Sequence, residues 1–247
     1  RELERVAAAK TDFLTTVSHE LRTPLTSILA FADVLTRNKP GNLVAKQERQ
    51  LGIIQRSGRR LAVLIDDLLD ATHIEQSKFE LKPVRFDVAE MLTDLTDSFR
   101  PILREKDQKF VLNLSQAPTE IFADQIRLTQ VVSNLVTNAS KYSGEGSEVK
   151  IIATSDNDDI VITVEDQGIG IESFDLDHVF GAFFRSDNEG TRAQSGTGIG
   201  LYFCRMIVEY HNGDIAAESE NGKGTTVTLR MPREYSSELQ EETALAA

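Results

Sequence analysis

Phe13-Leu-Thr-Thr-Val-Ser-His-Glu-Leu-Arg-Thr-Pro-Leu-Thr-Ser-Ile28 decides how the N-terminal part of this chain is read. Written as a helix in heptads with Leu14 at position a, it places Leu21, Ile28 and Leu35 at a, and Val17, Pro24 and Phe31 at d. His19 falls at f, on the face turned away from the apolar seam, with Glu20 beside it. Thr23 follows His19 by four residues, one helical turn along the same side. A reactive ring nitrogen is thus expected in water, on a scaffold whose other faces want burial.

The pattern extends in both directions. Leu3, Val6 and the neighbouring alanines continue the helix upstream, so residues 1 to about 37 read as one long helix. Pro24 removes a backbone donor inside it and predicts a kink just after His19. Asn38-Lys-Pro-Gly-Asn42 is a turn cluster. A second heptad run then places Leu51, Gly58, Ile65 and Thr72 at a, and Ile54, Leu61 and Leu68 at d. Two helices with a short connection predict an antiparallel hairpin. Leu25, Ile53, Leu64 and Leu69 widen the stripe beyond what one partner helix covers. Burial against the downstream domain would cover it; two hairpins closing a four-helix bundle as a homodimer is the reading adopted.

Composition narrows the function classes. At 247 residues, with 40% hydrophobic and 27% charged residues, the chain reads as ordinary globular protein of one large or two small domains. A net charge of −12 argues against a nucleic-acid partner bound through a broad basic surface. The single cysteine, Cys204, excludes an internal disulfide framework and fits a reducing compartment. No apolar run approaches the ~20 residues that span a bilayer, and no signal peptide opens the sequence. The expectation is a cytoplasmic fragment with no membrane contact of its own, cut from a longer chain.

Gln76-Ser-Lys-Phe-Glu-Leu-Lys-Pro83 breaks the heptads, and the elements beyond it alternate in type. A helix is expected from 88 to about 105 with Asp87 as N-cap, and a strand over 110–114. A helix over 124–141 would bury Ile126, Val131, Val132, Leu135 and Val136. Strands over 148–154 and 159–165, a helix over 199–210, and strands over 214–218 and 225–230 complete an α+β two-layer sandwich. The boundaries expected are a helical domain at 1–77, a linker at 78–83, a sandwich domain at 84–232 and a polar tail at 233–247.

Four clusters in the second domain carry chemistry. Asn134, Asn138 and Lys141, spaced i, i+4, i+7, share one face of a helix that ends at Tyr142. An amide oxygen suits a hard cation and a lysine suits phosphate. Asp166-Gln-Gly-Ile-Gly170 puts a carboxylate at a strand end, before glycines that permit close backbone approach to a flat ligand. The carboxylate can accept a hydrogen bond from an exocyclic amine such as that of adenine. Gly196-Thr197-Gly198-Ile199-Gly200-Leu201 opens a helix and offers backbone amides to phosphate, with a spacing that is neither a dinucleotide fingerprint nor a P-loop. Between these, Phe180, Phe183 and Phe184 can anchor a short helix and Arg185 can reach phosphate, within a long glycine-flanked segment that reads as a lid.

Taken together, these motifs resemble those of the sensor histidine kinases of two-component signalling, over essentially residues 10–232. Val17-Ser-His-Glu-Leu-Arg-Thr-Pro24 resembles the phosphoacceptor box, and Asn134-Leu-Val-Thr-Asn-Ala-Ser-Lys-Tyr142 the N box. Residues 166–170, 180–185 and 196–201 resemble the first glycine box, the F box and the second glycine box. Gly222-Lys-Gly-Thr225 resembles the last glycine motif, a supporting turn. The resemblance implies a dimerisation and phosphotransfer hairpin followed by a Bergerat-type ATP site, of the kind shared with gyrase, Hsp90 and MutL. It implies that His19 takes the γ-phosphoryl group of ATP, that Glu20 orients the imidazole and accepts its proton, and that Thr23 positions water when the partner is dephosphorylated. Asn138 would hold Mg²⁺, with Asn134 and Lys141 at the phosphates and Tyr142 beside the base. Asp166 would read the adenine amine, and Gly168 and Gly170 would let the backbone approach. Arg185 would help place the γ-phosphate, Gly196, Gly198 and Gly200 would line the phosphate side and hinge the lid, and Thr197 and Leu201 would contact the nucleotide beside them. The implied partners are a second copy, a response-regulator receiver domain whose aspartate takes the phosphoryl group, and an upstream sensor module. Two departures stand out: Gly181 replaces a common acidic residue, which is expected to loosen the short helix bearing Arg185, and Gln167 replaces a common asparagine.

Rival readings are weaker. An ATP-hydrolysing clamp has no use for His-Glu-x-x-Thr-Pro on a dimer helix, and a vestigial scaffold does not need Asn138, Asp166 and the glycines intact. Thr23 occupies the second ligand position of a His-Glu-x-x-His zinc motif, so a metalloprotease is excluded. His73 and His178 read as ordinary polar positions, His211 as part of a turn after a helix, and Cys204 as packing.

Overall fold

The computed structural model describes residues 21–37, 41, 43–75, 80–116, 120–192, 194 and 198–236. Two compact units divide the chain, Arg1–Phe79 and Glu80–Ala247. His19, Glu20, Gly196 and Thr197 lie outside the described residues, as do the kink expected after His19, residues 38–40 of the turn and most of the tail.

The first unit is a helical hairpin of α1 (21–36) and α2 (Ala45–Glu75). The helix continues through Pro24, where Thr26 Oγ1 and Ser27 Oγ donate to the Arg22 and Thr23 carbonyls at 2.9 and 3.3 Å. The contact surface differs from the heptad seam expected. Leu25 and Ala32 are the buried apolar residues of α1, and Leu29 and Ala62 pack against Leu25. Gly58 meets α1 so closely that an added Cβ would stand 2.7 Å from Leu29 Cδ2. Gln55 Nε2 donates to Asp33 Oδ1 at 2.6 Å farther along. The seam residues Leu21, Ile28, Phe31, Leu35, Ile54 and Leu61 are exposed in the single chain. Among the described residues, most of the heptad stripe therefore lies off the hairpin's own contact, Gly58 being the member that enters it.

The second unit is a two-layer α/β sandwich. Its sheet has the order β2 (Lys109–Gln116), β4 (Glu148–Asp156), β5 (Asp159–Asp166), β7 (Gly224–Pro232), β6 (Asp214–Glu220). Only the β2–β4 pair is parallel. Alternate residues face the helical layer, as a strand's period of two requires: Val149, Ile151 and Ala153, then Ile160, Ile162 and Val164, then Val227, Leu229 and Met231 are buried. Register is visible across β5 and β7, where the opposed Thr163 and Thr228 hydroxyls lie 3.2 Å apart.

Three helices cover that face: α3 (Val88–Arg104), α4 (Gln125–Tyr142) and α7 (Gly200–Tyr210). Asp87 caps α3 by accepting from the Glu90 amide at 3.0 Å, as its position before an amphipathic run predicts. The apolar side of α4 is Leu128, Val131, Val132, Leu135, Val136 and Ala139. Ile126, expected on that side, is 78% exposed, because one position into the helix it points outward before the packed stripe begins. A small antiparallel sheet of β1 (Val84–Phe86) and β3 (Ile121–Ala123) leads into α3 and α4. These strands were not anticipated; three residues each are too short to show a period. Among the described residues no helix is long and apolar enough to cross a membrane.

Candidate nucleotide site

The site is built around α4, and both ends of that helix are tied down. At its N-terminus Asp124 Oδ1 accepts from the Arg127 amide at 3.1 Å and Oδ2 from the Lys82 amide at 2.8 Å. The Asp124 amide donates to His211 Nε2 at 3.0 Å, while His211 Nδ1 lies 2.8 Å from the Ile207 carbonyl. That pairing fixes a neutral ring, Nδ1 donating and Nε2 accepting. Burial lowers the His211 pKa below the ordinary histidine value, against the smaller opposing effects of the Ile207 bond and the Asp124 charge. His211 does end α7, as its turn position suggests, but it is a fully buried link between two helices.

Asn134, Asn138 and Lys141 lie half-buried along one side of α4, opposite its packed stripe. The Asn134 side-chain nitrogen is buried without a protein hydrogen-bond partner. An orphaned amide donor is costly unless something else accepts from it, which makes this face fit an acceptor-rich ligand. Lys141 Nζ donates to Tyr142 Oη at 2.9 Å and sits 4.4 Å from that ring's centroid. Lys141 also lines, with Glu105, Lys106, Ser143, Glu145 and Gln194, a recess of about 360 Å³ at the C-terminal end of α4.

Asp166 ends β5 beside this recess. Its Oδ1 accepts from the Gly168 amide at 2.7 Å and from Ser143 Oγ at the long limit of 3.5 Å. Burial raises the carboxyl pKa above the ordinary aspartate value, and the bonds from Gly168, Thr225 and Ser143 only partly offset it. The glycines after it serve the chain's approach to itself. A Cβ at Gly168 would stand 2.7 Å from both Asp166 Oδ1 and the Tyr142 carbonyl, and Gly170, at φ +70°, abuts the Glu220 carbonyl. Gly168 pairs with Ser143 in an isolated bridge, and the Ile169 amide donates to the Tyr142 carbonyl at 3.2 Å. The β6–β7 turn closes the other side: the Gly222 amide donates to the Ile169 carbonyl at 2.7 Å. Asp166 is thereby held between the end of α4 and two turns.

The segment between the glycine motifs departs from expectation. Its short helix, α5 (Ser173–Leu176), precedes the phenylalanines instead of containing them. Phe183 adopts φ 63° and is exposed, and Arg185 lies outside any helix or strand. Gly181 disfavours a helix there, and the left-handed backbone of Phe183 interrupts one. Arg185 Nη2 donates to the Thr191 and Gln194 carbonyls at 2.9 and 2.6 Å, clasping α6 (Glu189–Arg192). Gly190 of α6 rests on the Ile169 side chain. Gly198, at φ +74°, abuts the Phe184 carbonyl, whereas Gly200 opens α7 with free space where a Cβ would point. Leu201 follows it, half-buried, and α7 packs on α4 with Cys204 fully buried and its thiol 3.7 Å from the Val131 carbonyl. His178 is exposed, its ring 5.9 Å from that of Phe184. Thr23 belongs to the other unit, on an exposed face of α1.

A model of the histidine kinase-, DNA gyrase B- and HSP90-like ATPase family matches residues 123–235, and one of the His Kinase A (phospho-acceptor) domain matches residues 9–77. The chain belongs to the sensor histidine kinases of two-component systems. It is 36% identical over 238 residues to the autoinducer 2 sensor kinase/phosphatase LuxQ of Vibrio parahaemolyticus, covering 94% of this chain and 27% of LuxQ. It is 34% identical over 233 residues to the sensor histidine kinase WalK of Bacillus subtilis, covering 94% of this chain and 38% of WalK. This histidine kinase chain thus spans well under half the length of either relative. Among solved structures, full-length ShkA in complex with AMPPNP superposes with a TM-score of 0.75 at 26% identity, over 91% of this chain and 46% of that one.

Gln108, Lys106, Ser143 and His211 support the site but escape the sequence reading. Polar residues in turns carry no periodic signal, and the Asn-Gly after His211 announces a turn without announcing burial.

Proposed function

We propose that this chain autophosphorylates His19 from ATP and passes the phosphoryl group to an aspartate of a response-regulator receiver domain, with Thr23 positioning the water that hydrolyses the phosphorylated partner. In this reading residues 1–77 dimerise and carry the histidine, 78–83 link, 84–232 bind ATP, and 233–247 form a tail. A single observation carries the nucleotide half: the desolvated Asp166 carboxylate, anchored by the Gly168 amide beside the end of α4, where it can accept from the adenine amine. That full-length ShkA, a structural neighbour, is in complex with AMPPNP supports an adenine nucleotide as the ligand. Asn134 offers its orphaned amide and Lys141 its ammonium to phosphate oxygens, and Gly196, Thr197, Gly198, Gly200 and Leu201 would line the phosphate side as the family resemblance implies. The side-chain oxygen of Asn138 would hold Mg²⁺, which supplies positive charge against the phosphates. Arg185, whose Nη2 donates to the Thr191 and Gln194 carbonyls, would help place the γ-phosphate.

The transfer forms a bond from an imidazole nitrogen of His19 to the γ-phosphorus as the bond to the leaving oxygen of ADP breaks; the ring proton passes to Glu20. A second transfer moves the phosphoryl group to a partner carboxylate. The exposed heptad stripe supports a second copy of the hairpin as the partner that completes a four-helix bundle. The full-length protein is read as carrying a sensor module upstream, with this part in the cytoplasm.

With Mg²⁺ and γ-labelled ATP, the parent is expected to give acid-labile, alkali-stable phosphoprotein. His19→Gln abolishes it, and Asn138→Ala abolishes it without changing the sedimentation of the protein. Label that survives His19→Gln overturns the acceptor. ATP consumption with no labelled protein would favour the hydrolysing clamp.

A further inference from the structure

Gln108 lies in the connection between α3 and β2, outside every motif above, and is 5% exposed. Its side chain reaches across to the C-terminus of α4. Nε2 lies within donor range of the Ser140, Ser143 and Gly144 carbonyls at 3.1, 3.2 and 3.1 Å and of Ser147 Oγ at 3.3 Å. Oε1 accepts from Ser140 Oγ at 2.7 Å. One amide group thus faces a carbonyl of the last turn of α4 and those of the two residues that follow the helix, with Lys106 Nζ adding a bond to the Ser140 carbonyl at 2.8 Å. The backbone is stitched alongside: the Lys109 amide donates to the Ser147 carbonyl at 2.8 Å.

What Gln108 holds is the strip that holds Asp166. Ser143, whose carbonyl takes the Gln108 bond, pairs with Gly168, and the Gly168 amide anchors Asp166 Oδ1. The preceding residue, Tyr142, receives the Ile169 amide. Residues 142–144 are therefore gripped by the Gln108 amide on one side and lie against the loop that aims the carboxylate on the other. We propose that Gln108 is a positioning residue for nucleobase selection, fixing the Asp166 carboxylate through Ser143 and Gly168. This rests on reading Asp166 as the residue that meets the adenine amine. A site built to accept from that amine disfavours a purine carrying a carbonyl in its place, since two acceptors then face each other.

The test is equilibrium binding of ADP and inosine diphosphate to the whole chain, with the ratio of their affinities as the readout. The parent prefers ADP. Gln108→Met, which keeps length and removes both hydrogen-bonding functions, lowers that preference by about fivefold, through weaker ADP binding with inosine diphosphate affected less than twofold. Ser140→Ala, which removes only the hydroxyl that orients the amide, shifts the ratio the same way by about twofold and is read by itself if Gln108→Met fails to fold. In Asp166→Ala, which has no preference left to lose, adding Gln108→Met leaves the ratio unchanged. Equal losses for both nucleotides, or an unchanged ratio in either single variant, overturn the proposal and leave Gln108 a support of the fold. A parent with no preference for ADP removes the Asp166 reading itself, a different failure from the others.

Discussion

The helical hairpin and the sandwich manage apolar surface in opposite ways. On the hairpin, Phe31 is 70% exposed, Val34 65% and Ile53 55%, in line with Leu21, Ile28, Leu35, Ile54 and Leu61. Among the described residues, those packed between its two helices are Leu25 and Leu29 with the small Ala32, Gly58 and Ala62. In the sandwich, Ile151, Ile160, Ile162, Leu229, Phe203 and Ile207 are fully buried, and the exposed large apolar residues among those described (Val84, Ile102, Ile126, Phe174 and Phe183) are single positions on different segments. Scattered exposure is ordinary, whereas a continuous stripe marks an interface. One unit completes its core from its own chain, and the other presents a core still to be closed.

The largest effect should come from attacking that open stripe. Phe31→Glu places a charge at a d position that a symmetric bundle would bury twice. Losing two Phe burials costs roughly 3–6 kcal/mol, so dimer affinity should fall by about 10²–10⁴. Sedimentation equilibrium would read the shift to monomer, with ADP affinity unchanged because the sandwich needs no partner for its core. A variant that sediments with the parent would mean that Phe31 faces something other than a second copy.

The reverse attack is on the closed core. Ile162, at the centre of β5, is fully buried, and Ile162→Ala should cost about 2–5 kcal/mol through lost transfer energy and a residual cavity. Denaturant unfolding followed by ADP binding reports the sandwich, and sedimentation reports the dimer. Loss of dimer together with loss of nucleotide binding would show that the units do not keep their cores separately.

The same contrast explains what was legible in the sequence. Alternating strands such as Val149-Lys-Ile-Ile-Ala153 and capped helices such as the one after Asp87 reveal themselves locally, because burial there follows a period and a cap precedes a run. Asp166 and its glycines were legible as a motif, although the reason for Gly168 and Gly170 is chain against chain. The heptads showed that the hairpin had a stripe, but not which face meets its own second helix, since Gly58 against Leu25 and Leu29 is a tertiary choice. Arg185 was assigned a reach toward phosphate; its bonds to Thr191 and Gln194 depend on where α6 folds back, which spacing does not encode. Gln108, distant in sequence from the helix it holds, had no local signature, and the turn signal at His211 said nothing of its burial or its bond to Asp124.

The smallest expected effect concerns His211, and it tests whether the sandwich's self-sufficiency depends on protonation. The ring is neutral in the fold and its pKa is lowered from 6.5, first by burial. The unfolded chain therefore binds the proton more readily, so this group's contribution to stability is full above pH 6.5 and is lost as pH falls toward the folded-state value. Asp166 works with the opposite sign: its carboxyl pKa is raised from 3.8, so it favours the fold at low pH, and that contribution is lost as pH rises through the folded value. A single histidine changes stability by at most about 1.4 kcal/mol per pH unit. His211→Gln keeps an acceptor for the Asp124 amide and removes the titration. Denaturant midpoints measured from pH 7.5 to 5.5 should fall less steeply in this variant than in the parent. Parallel slopes would mean that protonated His211 is accommodated in the fold, and that the Asp124 amide finds another acceptor when Nε2 no longer serves.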